Sequence, residues 1–250
     1  MLLITGGSGK LGTALRTVFP AAAAPGRDRL DLLRRDSIRA FVEAHPPSLV
    51  VHAAAYTSVQ RAEAERELCW NANVRGTEWL VEAVQAVNAD CYFVYVSTAC
   101  VFHGDRGGYT EADVPHPKNF YGLTKLVGEF VARRMREHLI VRTNFVARER
   151  WPYPRAFVDR FGTYLYADEV AAAVRELTAA RLTGVVHVAG DRKLSMFDLA
   201  ALTTDTVAPI SMDEVSVPLT VDMSLASQRI PAYRLTPGAP GAIAAASTPR

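Results

Sequence analysis

The opening MLLITGGSGKLGTALRTVF leaves the chain few folds to choose from. MLLIT is a short apolar run with the look of a buried strand. It ends in glycines and passes straight into KLGTALRTVF, where Leu11, Leu15 and Val18 recur at helical spacing. A strand, a glycine turn and a helix make half of a βαβ unit, the building block of parallel sheets. The turn reads in two registers. Gly7, Gly9 and Gly12 fit GxGxxG, and Gly6, Gly9 and Gly12 fit GxxGxxG. Either register turns backbone N–H groups and a helix N-terminus toward a pyrophosphate. A tight turn without a ligand is the plainer alternative. A nucleoside-triphosphate P-loop is excluded, because Leu11 follows Lys10 where Ser or Thr is needed and Ile4 stands where its first glycine belongs.

The alternation continues down the chain. The weak segment 21–27 is a candidate second strand, and 36–44 reads as a helix capped by Asp36 or Ser37. SLVVHAAAY (48–56), CYFVYVST (91–98) and HLIVRTNFV (138–146) read as buried strands. A long helix is expected from Glu63 to Val87, and another from the Tyr121 region to Arg136. Beyond 147 the pattern gives a helix at 168–177, a strand at 183–190 and a helix opened by Ser195. The fold class is therefore α/β, with a doubly wound parallel sheet. Ligands of such sheets sit off the carboxyl ends of the strands. Gly6, Ala53, Ser97 with Thr98, and Arg142 with Thr143 all fall there.

Composition mainly excludes. A net charge of +2 and a basic run interrupted by Asp28 and Asp31 give no case for nucleic acid. No apolar run reaches the roughly 18 residues a membrane span needs, and the start lacks a signal peptide's basic lead. Cys69, Cys91 and Cys100 are scattered, and neither they nor the histidines show ligand spacing. A reduced, cytoplasmic protein without a metal is expected. His52, inside a strand, reads as a core histidine. His103 divides evenly between facing a ligand and lying solvated. Residues 237–250, mostly Pro, Gly, Ala and Ser, are expected to form a loose tail.

One pair carries chemistry. Tyr121 and Lys125 stand four apart in FYGLTKLVGE, so a helix would place them on one face. Alone, the pair is an ordinary helical turn. It follows a strand ending in Ser97-Thr98, downstream of the glycine turn, and that context fits carbonyl reduction. Tyr121 would donate the proton, Lys125 would lower its pKa from near 10 and hold the nicotinamide ribose, and Thr98 would orient the carbonyl. After the second strand, Arg27 and Arg29 favour the 2′-phosphate of NADP, while Asp28 keeps NAD open and Asp31-Leu32 could meet the adenine.

These segments, with LDLLRRDSIRAF, VVHAAAYTSVQRAE, NANVRGT, VSTACVFHGDRGGYTEADVPHPKNFYGLTKLVGE, IVRTNFV and DRFGTYLYADEVA, resemble the extended short-chain dehydrogenase/reductases. The dTDP-4-dehydrorhamnose reductase group is the most similar, over roughly residues 1–200. The resemblance implies a Rossmann-like NADP-binding domain with the catalytic residues over 1–147. A segment at 148–236 would complete the sheet and form a small, shortened substrate region. It implies a cofactor site of Gly6, Gly9, Lys10, Leu11, Asp31, Leu32, Ala53, Ala54, Tyr56, Asn73, Tyr121 and Lys125, to which the reading of the residues after the second strand adds Arg27. Thr98, Tyr121 and Lys125 would be catalytic, and Thr98, Ala99 and Phe145 would touch substrate. NADP(H) is the implied cofactor, with NAD(H) open, a nucleotide sugar is the implied substrate, and a homodimer is left open.

The chain departs from the group's pattern. Ala99, Cys100 and His103 replace Asp, Tyr and Asp in the STDYVFDG stretch, Gln60 replaces an Asp, and the span from Phe145 to Asp159 is short. Two alternatives to a 4-ketoreductase remain at this level, a sugar-nucleotide epimerase of the same superfamily and a non-catalytic NADP-binding subunit. Ala99 and Cys100 stand where dehydratases carry an Asp-Glu pair.

Overall fold

A computed structural model describes residues 1–236, so the expected tail at 237–250 lies outside the described residues. The elements run β1 (Leu2–Thr5), α1 (Lys10–Val18), α2 (Arg35–Ala44), β2 (Leu49–His52), α3 (Val59–Ala64), α4 (Arg66–Trp70), a π-helical turn (Asn71–Arg75), α5 (Gly76–Val87) and β3 (Tyr92–Thr98). They continue with α6 (Phe120–Ala132), β4 (His138–Thr143), β5 (Phe145–Val146), β6 (Arg155–Phe157), β7 (Phe161–Gly162), β8 (Leu165–Tyr166), α7 (Ala167–Ala179) and β9 (Gly184–Val188). The last are β10 (Leu194–Ser195), α8 (Met196–Ala201), β11 (Ala208–Ile210) and β12 (Asp222–Met223).

The central sheet is parallel, in the order β1-β2-β3-β4-β9. Its strands are apolar almost throughout because both faces are covered. Along β3, Tyr92, Val94 and Val96 pack with Leu11 and Leu15 of α1 and with Val170 and Val174 of α7. The intervening Phe93 and Tyr95 pack with Ile38 and Phe41 of α2 and with Leu80 and Val84 of α5. That two-sided packing is the doubly wound fold the alternation implied.

Four details correct the sequence reading. The second strand is reduced to a single bridge, Leu3 to Ala23, because alanines and Pro25 offer little to a ladder. α2 begins at Arg35 behind Arg34, while Ser37 instead accepts from the Asp31 N–H. The expected helix from Glu63 to Val87 breaks at Glu65 and loosens into the π-helical turn. The run 138–146 divides at Asn144, and Phe145–Val146 joins β8 in a separate two-stranded pairing.

The small sheet is the part periodicity misses. It has the order β10-β7-β12, and each of its strands is two residues long. Two-residue strands hold no periodic signal, and their pairing is made by residues far apart in sequence. It meets the main domain where the Asn144 amide donates to the Met223 carbonyl at 2.8 Å. Among the described residues, no helix is long and apolar enough to cross a membrane.

Candidate active site

The glycine turn is built in the GxxGxxG register. Gly6 takes φ +73°, a left-handed conformation that glycine adopts readily. A Cβ on Gly6 would lie 2.7 Å from the Ala54 Cα, and one on Gly12 would lie 1.9 Å from the Gly6 carbonyl oxygen. Gly6 therefore lets the turn lie against Ala53-Ala54 after β2, and Gly12 lets α1 close onto the turn. No side chain caps α1 behind Gly9. The helix follows β1 at the switch point of the sheet, where the neighbours of β1 are β2 and Ala23. This arrangement fits an anionic diphosphate. Lys10 is exposed on the first turn and Leu11 is buried. Arg27 is exposed, Leu32 packs on Gly76, and the Asp31 carboxylate accepts from the Leu33 N–H at 3.0 Å.

Asn73 explains the π-helical turn. Its Oδ1 accepts from the Tyr56 N–H at 2.7 Å, and its amide donates to the Tyr56 carbonyl and the Thr124 hydroxyl, both at 3.0 Å. The widened turn brings Asn73 to both the loop after β2 and the middle of α6. One buried amide thus sets the Ala53–Tyr56 loop relative to Tyr121 and Lys125. His52 is a satisfied core histidine, 2.6 Å from the Thr5 hydroxyl and 3.0 Å from the Thr77 hydroxyl. Burial, then the Lys125 charge, lower its pKa to about 3.

β3 delivers Ser97 and Thr98, and α6 delivers Tyr121 and Lys125. Asn119 caps α6 by accepting from the Gly122 N–H at 2.8 Å. Gly122 is where that helix meets the turn after β3, because a Cβ there would sit 2.1 Å from the Cys100 carbonyl oxygen. The Thr98 hydroxyl accepts from the Cys100 N–H at 3.1 Å and is the neighbour that draws the Tyr121 phenol's pKa down. Ala99 is fully buried next to this pair, and Phe145 is half-buried against the same core.

One expectation fails. Lys125 does not lower the pKa of Tyr121 here. Burial, reinforced by the nearby Cys100 thiol, pushes the phenol upward, and only the Thr98 hydroxyl opposes it. The Lys125 ammonium is turned to the Val96 carbonyl, at 2.8 Å, and lies 4.1 Å from the centre of the Tyr95 ring. Burial lowers its own pKa to about 7, against a smaller upward pull from Glu129. Tyr121 is thus a protonated phenol, the form that can donate to a carbonyl.

Sequence reasoning passed over the pair beneath these residues. Arg142 donates to Glu129 twice, at 2.9 and 2.7 Å, and Ser97 donates to the same carboxylate at 2.6 Å. The guanidinium is 2% exposed and the carboxylate 0%. The signal was available, since an arginine inside the apolar run HLIVRT is almost never buried unpaired. In the loop of residues 99–119, His103 is half-buried and its ring stacks on His116 with centroids 5.3 Å apart. Trp151 is half-buried against the core, with Tyr153 edge-on to it.

Residues 1–159 match the family model of the RmlD substrate binding domain. The chain is 29% identical over 245 residues to dTDP-4-dehydrorhamnose reductase of Aggregatibacter actinomycetemcomitans, covering 86% of this chain and 82% of that one. It is 27% identical over 240 residues to methionine adenosyltransferase 2 subunit beta of Xenopus tropicalis, covering 81% and 71%. Among solved structures, dTDP-4-dehydrorhamnose reductase of Bacillus anthracis in complex with NADP superposes with a TM-score of 0.81. It is 26% identical, with 90% of this chain and 89% of that chain covered.

Proposed function

The chain belongs to the RmlD substrate binding domain family, and from that premise we propose that it is an NADPH-dependent reductase of a 4-keto sugar nucleotide resembling dTDP-4-dehydrorhamnose. The observation that carries this reading is the buried Thr98–Tyr121 pair at the carboxyl end of β3, with Lys125 one helical turn on. The relatives' names and the NADP in the Bacillus anthracis structure support it. Gly6, Gly9, Lys10 and Leu11 would hold the cofactor diphosphate, Arg27 the 2′-phosphate, and Asp31 with Leu32 the adenine. Ala53, Ala54 and Tyr56 would line its path, steadied by Asn73. The reduced nicotinamide supplies a hydride. Residues 148–236 would hold the sugar nucleotide, with Ala99 and Phe145 against the sugar.

The chain's own part is positioning and proton transfer. Thr98 fixes the carbonyl oxygen through its hydroxyl. Tyr121 donates its phenolic proton as negative charge develops on that oxygen, and Lys125 would hold the nicotinamide ribose. Water is largely excluded, since Thr98 and Tyr121 are only 8% and 9% exposed.

The test is NADPH oxidation with dTDP-4-dehydrorhamnose. Consumption of one NADPH per ketone is expected, whereas an epimerase would show no net consumption. Tyr121→Phe is expected to lower turnover by about 10²- to 10⁴-fold while leaving NADPH affinity nearly unchanged. Wild-type turnover in that variant would sink the mechanism. The likeness to methionine adenosyltransferase 2 subunit beta supports a second reading, a non-catalytic subunit, for which no keto-sugar nucleotide would be turned over at all.

A further inference from the structure

A row of polar side chains crosses the apolar interior from the glycine turn to α6. Thr5 ends β1 directly before Gly6, and His52, its register partner, ends β2. Thr77 lies in the first turn of α5, behind Asn73 of the π-helical turn, and Thr124 lies in α6. Thr5, His52, Asn73 and Thr77 are each 1% exposed, and Thr124 is 0% exposed. Polar groups so deep in a core cost desolvation, which only well-made hydrogen bonds offset. Of the five, Asn73 alone has a place in the cofactor site described above.

The protons in this row have one consistent direction. The Thr77 hydroxyl lies 2.7 Å from the Asn73 carbonyl. A carbonyl carries no proton, so the threonine donates there and its oxygen is left to accept. His52 Nε2, 3.0 Å away, therefore holds the imidazole proton. Nδ1 is then bare and accepts from the Thr5 hydroxyl at 2.6 Å, and the Thr5 oxygen accepts from the Ala54 N–H at 3.3 Å. Reversing a link at His52 or Thr77 would set two acceptors face to face. Beyond Asn73 its side-chain amide donates to the Thr124 hydroxyl at 3.0 Å, which donates to the Tyr121 carbonyl at 2.8 Å. Gly6 lies against Ala54, so one end of the row is the wall of the glycine turn. The other end is the backbone of Tyr121.

We propose that His52 and Thr77 are positioning residues, through which a phosphate seated on the glycine turn fixes the placement of Tyr121 on α6. The inference rests on the reading given above of the turn as the cofactor's seat and of Tyr121 as the proton donor. Hydride donor and proton donor are carried by different elements, and a misplacement of about 1 Å between reacting groups can cost about 10²-fold in rate. Hydrogen bonds fix a distance and an angle, whereas apolar contacts are non-directional. A polar row therefore holds the two elements in register where an apolar one would only hold them together.

The experiment compares the wild type with Thr77→Val, which removes the hydroxyl, and Thr77→Ser, which keeps it. Imidazole nitrogen NMR of the free wild type is expected to show His52 protonated at Nε2. Hydrogen exchange of the amides at 121–125 is then read with and without adenosine 2′,5′-bisphosphate, which brings a phosphate to the turn but no nicotinamide. The ligand should slow exchange by about threefold or more in the wild type and in Thr77→Ser, and not in Thr77→Val. In turnover, Thr77→Val should lower kcat by about tenfold or more with NADPH affinity within about threefold, and Thr77→Ser should restore it. The proposal is overturned by His52 protonated at Nδ1, by no slowing in the wild type, or by equal slowing in Thr77→Val. It is overturned too if Thr77→Ser is as impaired as Thr77→Val, or if kcat and NADPH affinity fall together, as general loosening requires. A wild type that reduces no keto-sugar nucleotide would sink the proposed function, while the NMR and exchange results still decide the coupling. If Thr77→Val fails to fold, His52→Phe, which keeps a ring and removes both hydrogen bonds, takes its place.

Discussion

Lys125 and Tyr121 are held in opposite ways by the same burial: it favours the neutral amine and the neutral phenol. For the lysine this has a measurable consequence without cofactor. Its amine titrates near 10.5 unfolded and at about 7 folded. Between those values the unfolded chain binds more protons, so this contribution makes stability rise with pH and is lost as pH falls toward 7. Urea midpoints should increase from about pH 7 to about pH 8.5, and Lys125→Met should flatten that rise. An unchanged slope in the variant would show that the amine is not the titrating group. Thr98, Tyr121 and Lys125 were legible because spacing and strand order bring them to one edge. The hydrogen bond from Lys125 to the Val96 carbonyl was not, because it depends on the depth of α6 above the sheet.

Depth is an element-scale property, and the Glu129–Arg142 pair fixes it by tying α6 to β4, with Ser97 of β3 on the same carboxylate. Removing one partner strands the other charge in the interior. Glu129→Gln is expected to cost about 3–5 kcal/mol of unfolding free energy, and Glu129→Gln/Arg142→Met to cost less than the two single changes summed. Denaturant unfolding of the four proteins checks this, and simple additivity would refute the pairing. The strands of the main sheet were readable because both faces are buried and their apolar runs are continuous. The broken helix near Asn73 was not. Its sequence, WNANVRGT, has no proline to announce a break, and the π-helical turn answers a tertiary demand, the link from Asn73 to Tyr56 and Thr124.

At the scale of the whole molecule, a sheet that periodicity reveals is joined to a small one that it does not. Asn144 joins them through the Met223 carbonyl. Asn144→Ala would leave that buried carbonyl without its partner, at about 1–3 kcal/mol. It should raise KM for the sugar nucleotide more than it changes NADPH affinity, and steady-state kinetics beside a cofactor titration would show the split. An equal effect on both would place the joint elsewhere. The contribution of β12 also orders events in time. A chain made from its N-terminus extrudes the glycine turn, β3 and α6 long before Met223, which touches Cys100 and Arg160. During synthesis on the ribosome the glycine turn, β3 and α6 can therefore collapse first, and the small sheet closes against them only once Met223 emerges.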